Sequence, residues 1–242
     1  MADPRTSIIA ERLKNVRNVI AVSGGKGGVG KSLVASMLAV SLAKKGYKVG
    51  LFDLDFTSPS THIILGIGNL SPKEEKGIIP PEAHGLKYMS IVHYSGEHVS
   101  PLRGADVSNA LIELLAVTRW GTLDFLIADM PPGISDATLD MIRLVKKAKF
   151  LIVTTPSQLA FETVRKFINL LVDLKVPVVG VIENMEMKKE QLIQQQVEDM
   201  GIKFLGVIPF DPKLEEAIGN IDILSKTKFA KKIEEISAGT LV

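Results

Sequence analysis

The chain has 242 residues, a formal net charge of +2, 46% hydrophobic residues and no cysteine. That length suits one α/β domain or two small ones with a large core, and the near-zero charge offers no global field for nucleic acid or an anionic membrane. Without cysteine the chain itself excludes disulfides, thiolate nucleophiles and cysteine-ligated zinc or iron–sulfur sites, and no apolar run reaches the ~18 residues of a membrane span.

The start, Met1-Ala2-Asp3-Pro4-Arg5, lacks the positive-then-apolar layout of a signal peptide, so a cytoplasmic location is expected. Ile8, Ile9, Leu13 and Val16 stand near helical spacing and predict a helical lead-in over 1–18. An apolar strand follows at 19–23, then a glycine-rich loop, then a helix over 32–45 that is apolar on nearly all sides, as befits burial against a sheet. Lys44-Lys45-Gly46 closes that helix with cations and a glycine cap. A strand at 48–52 runs into Asp53-Leu54-Asp55, and 66–86 reads as a Gly-, Pro- and charge-rich surface excursion. Beyond it come strand 86–92 and a loop with Gly96, Pro101 and Gly104. The alternation is then regular: helix 106–117, strand 123–128, helix 135–147, strand 150–154, helix 159–174, strand 176–182, helix 188–200 and strand 203–208. Short helices near Leu214 and Phe229 close the chain. Short apolar strands alternating with helices predict a single doubly wound, mainly parallel α/β sheet over 19–242, covered on both faces and with right-handed crossovers.

In such sheets ligands sit beyond the carboxyl ends of the strands, and four of those ends carry chemistry. From Gly25 to Ser32 the residues fit G-x-x-x-x-G-K-[ST], between a strand and a helix. Such a loop turns backbone N–H groups and a helix dipole on a phosphate. Gly27, Gly28 and Gly30 let the backbone curl, Lys31 is placed for the β/γ-phosphates, and the Ser32 hydroxyl for Mg²⁺. Asp129 ends the strand before Met130-Pro131-Pro132-Gly133, the position of a magnesium-holding aspartate, and the Gly133 N–H is placed to sense a γ-phosphate. Asp53 and Asp55 end another strand, one for the metal shell and the other to orient the attacking water. Asn184 and the Pro209-Phe210-Asp211 turn end later strands and are candidates to flank a base. Four histidines, His62, His84, His93 and His98, have no metal-ligand spacing, and Trp120 reads as a packing anchor.

With these residues in view the chain resembles the Mrp family of P-loop ATPases, within the MinD/ParA/nitrogenase-iron-protein group. The group's deviant loop K-G-G-x-G-K-[ST] stands here as Lys26-Gly27-Gly28-Val29-Gly30-Lys31-Ser32. Asp53-Leu54-Asp55-Phe56-Thr57-Ser58-Pro59-Ser60 is similar to the family's D-x-D-x-x-G-P-S. Leu102-Arg103-Gly104, Trp120-Gly121-Thr122-Leu123-Asp124, Thr155-Pro156-Ser157-Gln158-Leu159-Ala160 and Glu183-Asn184-Met185 also look like family signatures. The resemblance implies an ATP- and Mg²⁺-dependent ATPase that works as a homodimer, with Lys26 touching the partner subunit's nucleotide. It implies Asp55 as the water-orienting switch residue and a metal-shell neighbour, Asp129 as the metal aspartate, Asn184 as the reader of adenine, and Pro209 and Asp211 beside the base.

Three departures stand against that pattern. Leu33 replaces a threonine, which removes one α-phosphate contact, and Ser58 replaces a glycine in the switch. The family's C-x-x-C after Glu-Asn-Met, for a bridging iron–sulfur cluster, is replaced by Glu186-Met187-Lys188-Lys189. A cluster carrier's engine without its cluster ligands is therefore expected, with a protein client bound through 66–104 or 185–200. Two other readings compete: a MinD- or ParA-like positioning switch on membrane or DNA, and a module that holds ATP but barely turns it over. A membrane rider needs a terminal helix with a basic face, and the charges of 229–236 balance, so docking of that helix on the core is expected. No basic patch for nucleic acid is visible.

Overall fold

A strand apolar at nearly every position has to be covered on both sides, and in the computed structural model the central strands are. The structure describes residues 5–68, 70–95, 104–188 and 192–240; His98, Leu102 and Arg103 lie outside them. Helix α1 (Arg5–Leu13) leads into β1 (Val16–Gly24), α2 (Lys31–Lys44), β2 (Val49–Asp53) and α3 (Thr61–Leu65). The predicted excursion contains β3 (Lys73–Glu74), β4 (Ile78–Ile79) and β5 (Glu82–Ala83). Then follow β6 (Leu86–Ser90), α4 (Val92–Ser95), α5 (Ala105–Val117), β7 (Leu123–Asp129), α6 (Asp136–Leu144), β8 (Ala148–Thr154) and α7 (Gln158–Asp173). The last elements are β9 (Val178–Glu186), α8 (Leu192–Asp199), β10 (Phe204–Pro209), α9 (Leu214–Ala217), α10 (Ile221–Leu224) and α11 (Lys228–Thr240).

The eight-stranded sheet runs β10-β9-β8-β1-β7-β2-β6-β5, parallel except for the edge pair β5–β6. In register, Val19 lies beside Leu126 and Ala148, and Ile20 beside Ile127, so alternate residues of neighbouring strands share a face. One face takes Val19, Ala21, Leu126 and Phe150 and is covered by α1, α5, α6, α7 and α8. The other takes Ile20, Val22, Ile127 and Leu151 and is covered by α2, α3 and the C-terminal helices. Helix α2 is buried at eleven of its fourteen positions, which accounts for its lack of a polar stripe.

Three boundaries differ from the sequence expectation in ways that matter. Val16 opens β1 rather than closing the lead-in helix, because its pairing with Leu123 extends the strand. Strand β9 runs four residues past the expected end, so Asn184 lies within it. The helix at Phe229 is thirteen residues long, and Phe229, Ala230, Ile233 and Ile236 bury its apolar face on the core.

Trp120 anchors the middle of this packing. It is fully buried, crosses Phe52 edge-on at 5.3 Å, and lies so close to Gly50 that a Cβ there would sit 2.8 Å from its ring. Trp120→Ala is expected to cost about 3–5 kcal/mol, read as a lowered urea midpoint by circular dichroism. A midpoint within experimental scatter of wild type would show that the ring does not anchor the core.

Candidate nucleotide-binding site

The chain leaves β1 at Gly24, loops over 25–30 and enters α2 at Lys31. Gly30 is the helix cap, with φ 86° and ψ 22°, and no side chain caps the first turn. The first N–H groups of α2 therefore remain for an anion. The loop glycines divide into two kinds. Gly24 and Gly25 serve packing: a Cβ would lie 2.7 Å from the Val153 carbonyl at Gly24 and 2.9 Å from Thr163 Cβ at Gly25. At Gly27 and Gly28 a Cβ would meet nothing within 4 Å, and Gly28 has φ 77°. Those two give a ligand open access to the backbone.

Lys31 is buried at the mouth of the helix. Burial pushes its pKa down, and Asp129 and then Asp55 pull it back up, which places both carboxylates beside the ammonium. Leu33 is buried among α2's apolar neighbours, so its side chain belongs to the core. Lys26, by contrast, is exposed.

Asp129 ends β7, in register with Val22 of β1 and Asp53 of β2, and is fully buried. Neither of its oxygens makes a well-formed hydrogen bond. Burial and then the Asp53 charge push its pKa well above the carboxylate range; the Ser32 hydroxyl and Lys31 oppose this. A buried carboxylate with spare lone pairs beside a helix-opening serine is the donor chemistry that suits a hard, oxygen-seeking cation such as Mg²⁺. Among the described residues no group of three or more His, Cys, Asp or Glu is arranged to hold a metal. Mg²⁺ fits this site as an ion held by one or two protein oxygens, the remainder of its shell being phosphate and water.

The Asp53–Asp55 pair resolves into two jobs. Asp53 accepts the Asp55 N–H at 3.2 Å, the Ser60 N–H at 3.2 Å, the Thr61 N–H at 3.1 Å and the Thr61 hydroxyl at 2.6 Å. Its lone pairs are committed to tying down the loop, and Tyr88 backs Thr61 with a hydroxyl contact of 3.0 Å. Asp55 accepts from the Thr57 hydroxyl and the Ser58 N–H, at 2.8 and 3.1 Å, both at Oδ1. Ser58 is not among the residues with left-handed backbone, so the serine takes the glycine's place without strain there. The sequence does not reveal the anchoring role of Asp53 because three of its four hydrogen bonds come from residues seven and eight positions away.

Gly133, with φ 74°, donates its N–H to the Gly24 carbonyl at 2.9 Å. The group expected to sense a γ-phosphate is thus joined to the phosphate loop in this conformation. Asn184 is buried against the loop and donates from Nδ2 to the Val29 carbonyl at 3.0 Å. Pro209 is exposed at the end of β10, and Asp211 accepts from the Lys213 N–H at 3.1 Å, which shapes the turn. Asp211 also lines a groove of about 610 Å³ with Lys213, Glu216 and Ile223.

The family model of the NUBPL iron-transfer P-loop NTPases, in the ParA group, matches residues 15–239. The chain belongs to that family. An iron-sulfur cluster carrier protein of Aquifex aeolicus is 37% identical over 222 residues, covering 85% of this chain and 61% of that protein. The carrier of Saccharolobus solfataricus is 38% identical over 223 residues, covering 85% and 75%. The chain therefore spans about three fifths to three quarters of the length of these relatives. Among solved structures, a nucleotide-binding protein from Archaeoglobus fulgidus in complex with ADP superposes with a TM-score of 0.77 at 31% identity, over 91% of this chain and 93% of that one. MinD from Pyrococcus horikoshii, complexed with Mg-ADP, gives 0.68 at 21% identity over 93% and 96%, a likeness of fold.

The two buried carboxylates set a pH dependence. Burial pushes Asp53 up to about 6, despite its hydrogen bonds. A raised carboxylate favours the folded state when protonated; that contribution is complete below the ordinary range near 4 and is lost as pH rises through about 6. In the absence of metal and nucleotide, wild type is expected to lose roughly 2–3 kcal/mol from this source between about pH 4 and pH 7. Asp129→Asn removes a second buried carboxyl whose own pKa burial raises, and should lose less in total, measured by urea unfolding at both pH values. Equal losses would show that the carboxyl pair does not set the dependence.

Proposed function

We propose that this protein is a Mg-dependent ATP-binding and ATP-hydrolysing switch that works as a homodimer, built on the iron–sulfur carrier plan but without cluster ligands of its own. One observation carries the reading: an uncapped helix start, a buried lysine and a buried carboxylate whose oxygens make no well-formed hydrogen bond converge at the adjoining ends of β1 and β7. The family assignment and the ADP in the Archaeoglobus relative support it.

In this reading the amides of 27–33 and Lys31 hold the β- and γ-phosphates, and Ser32 and Asp129 would hold Mg²⁺ with Asp55 nearby. The ion supplies neutralisation of phosphate charge when bound. Asp55 orients the water that attacks the γ-phosphate, and ADP and phosphate leave. Phosphoryl transfer asks little covalent chemistry of a protein, so positioning and charge stabilisation dominate. A γ-phosphate competes with the Gly24 carbonyl for the Gly133 N–H, and that exchange moves the 131–135 turn. Asn184 faces the base, with Pro209 and Asp211 at its side. Lys26 is free to reach a second subunit's nucleotide, so ATP should favour association.

The cargo question follows from composition. Iron–sulfur clusters need soft anionic ligands, normally thiolates, and this chain has none. A cluster would reach it as cargo held by a client protein. The competing picture of a membrane-riding switch is disfavoured by α11, whose apolar face is spent on the core.

Calorimetry should show Mg-ATP binding in preference to GTP, with most affinity lost in Lys31→Ala. Equal binding of GTP would remove the adenine assignment. Asp55→Ala should keep ATP affinity while hydrolysis falls at least ~100-fold, and normal turnover would leave Asp55 a turn residue. Lys26→Ala should bind ATP yet hydrolyse and dimerise poorly; an unchanged dimer fraction in sedimentation with ATP would refute the cross-subunit role. After anaerobic reconstitution with iron and sulfide and desalting, no stoichiometric cluster absorption is expected. Its appearance would return the protein to ordinary cluster carriage.

A further inference from the structure

Asn184 does something in this fold that facing a base does not require. It is 2% exposed, and its Nδ2 reaches across 155 positions to the Val29 carbonyl at 3.0 Å. Val29 belongs to the phosphate loop and is itself buried. The contact is tight, since a Cβ on Gly30 would come within 2.3 Å of that nitrogen. Gly30 is the cap of α2, directly before Lys31. Asn184 therefore presses on the two loop residues that set where the helix begins.

The chain around Asn184 is held to match. Met185 has φ 64°, a left-handed conformation uncommon for a side-chain-bearing residue. Its terminal methyl lies 3.7 Å from the position a Gly30 Cβ would take. One residue on, the Glu186 carbonyl accepts the Phe210 N–H at 2.9 Å, which ties the end of β9 to the β10 turn. The strand end is fixed on one side by β10 and delivers the Asn184 amide to the loop on the other.

We propose that Asn184 is a positioning residue for the phosphate loop, acting on triphosphate recognition independently of any base through its hydrogen bond to the Val29 carbonyl. The proposal rests on the reading of this site as a nucleotide site. The bond to Val29 uses one of the two Nδ2 hydrogens, so the other and Oδ1 remain for a base, and one side chain can serve both the loop and the base edge. Without the amide donor, the Val29 carbonyl becomes a buried acceptor lacking its partner, and the loop relaxes to satisfy it.

Two measurements test this. Amide hydrogen exchange is followed in the ligand-free protein for wild type and Asn184→Asp, which keeps the volume and removes the donor, with Asn184→Ala as the second variant. Exchange across 24–33 is expected to quicken about 10-fold, with 148–154 unchanged. Unchanged exchange at 24–33 would overturn the proposal, as would acceleration spread evenly over the chain, which marks a general loss of stability. Calorimetry then uses Mg-tripolyphosphate, which has no base, and Asn184→Ala is expected to bind it about 10-fold more weakly than wild type. Full tripolyphosphate affinity with weakened ATP binding would confine Asn184 to the base. Wild type that binds neither ATP nor tripolyphosphate would instead refute the nucleotide reading, while the exchange arm, run without ligand, still decides the loop contact.

Discussion

Buried charge is the constraint on which this structure depends. Parallel pairing ends β2 and β7 side by side, so Asp53 and Asp129 meet in register at the sheet's carboxyl edge. Both are fully buried, with Asp55 and a single buried lysine next to them. Three carboxylates against one ammonium is an unfavourable balance in low dielectric. The protein relieves Asp53 with four hydrogen bonds and leaves Asp129 without comparable relief. In the proposed function a cation offered together with a phosphate chain would answer both needs at once: it would neutralise the carboxylates, and Lys31 with the helix start would take the phosphates.

Most of the fold was legible because its strands are short, apolar and punctuated, and because the phosphate loop stands between a strand and a helix. Places where the sequence misled share a cause: pairing across the sheet. Val16 fits a helical stripe by spacing, yet Leu123 recruits it into β1. Asn184 reads as a loop residue by type, yet β10 draws it into a strand. The site followed the same rule. Lys31, Ser32 and Asp129 declare themselves within a local motif. Neither the division of labour between Asp53 and Asp55 nor the Gly133–Gly24 bond is local. Each depends on which backbone groups the fold brings together, and no spacing rule encodes that.

Apart from Asn184, the candidate site residues lie outside β9. The phosphate-binding and metal-binding candidates sit at the ends of β1, β2 and β7 and the start of α2, whereas the segment where the family that the chain resembles carries cysteines begins at Glu186, the last residue of β9. Met187, which stands there, is 81% exposed. The hydrogen bonds of Asp53, Asp55 and Gly133 involve no residue of that segment.

Helix α1 precedes the first residue matched by the family model, yet it is part of the core. Ile9 and Leu13 are buried in the same cluster as Trp120 and α5, and the Lys147 ammonium bonds the Leu13 and Val16 carbonyls, fastening the helix-to-strand junction to the turn between α6 and β8. A chain trimmed to the family boundary would uncover an oily strip over α5 and leave the lysine with half its partners. Such a fragment would be sticky and short-lived in solution, and its failure would mimic a defect of the catalytic loop that it does not touch.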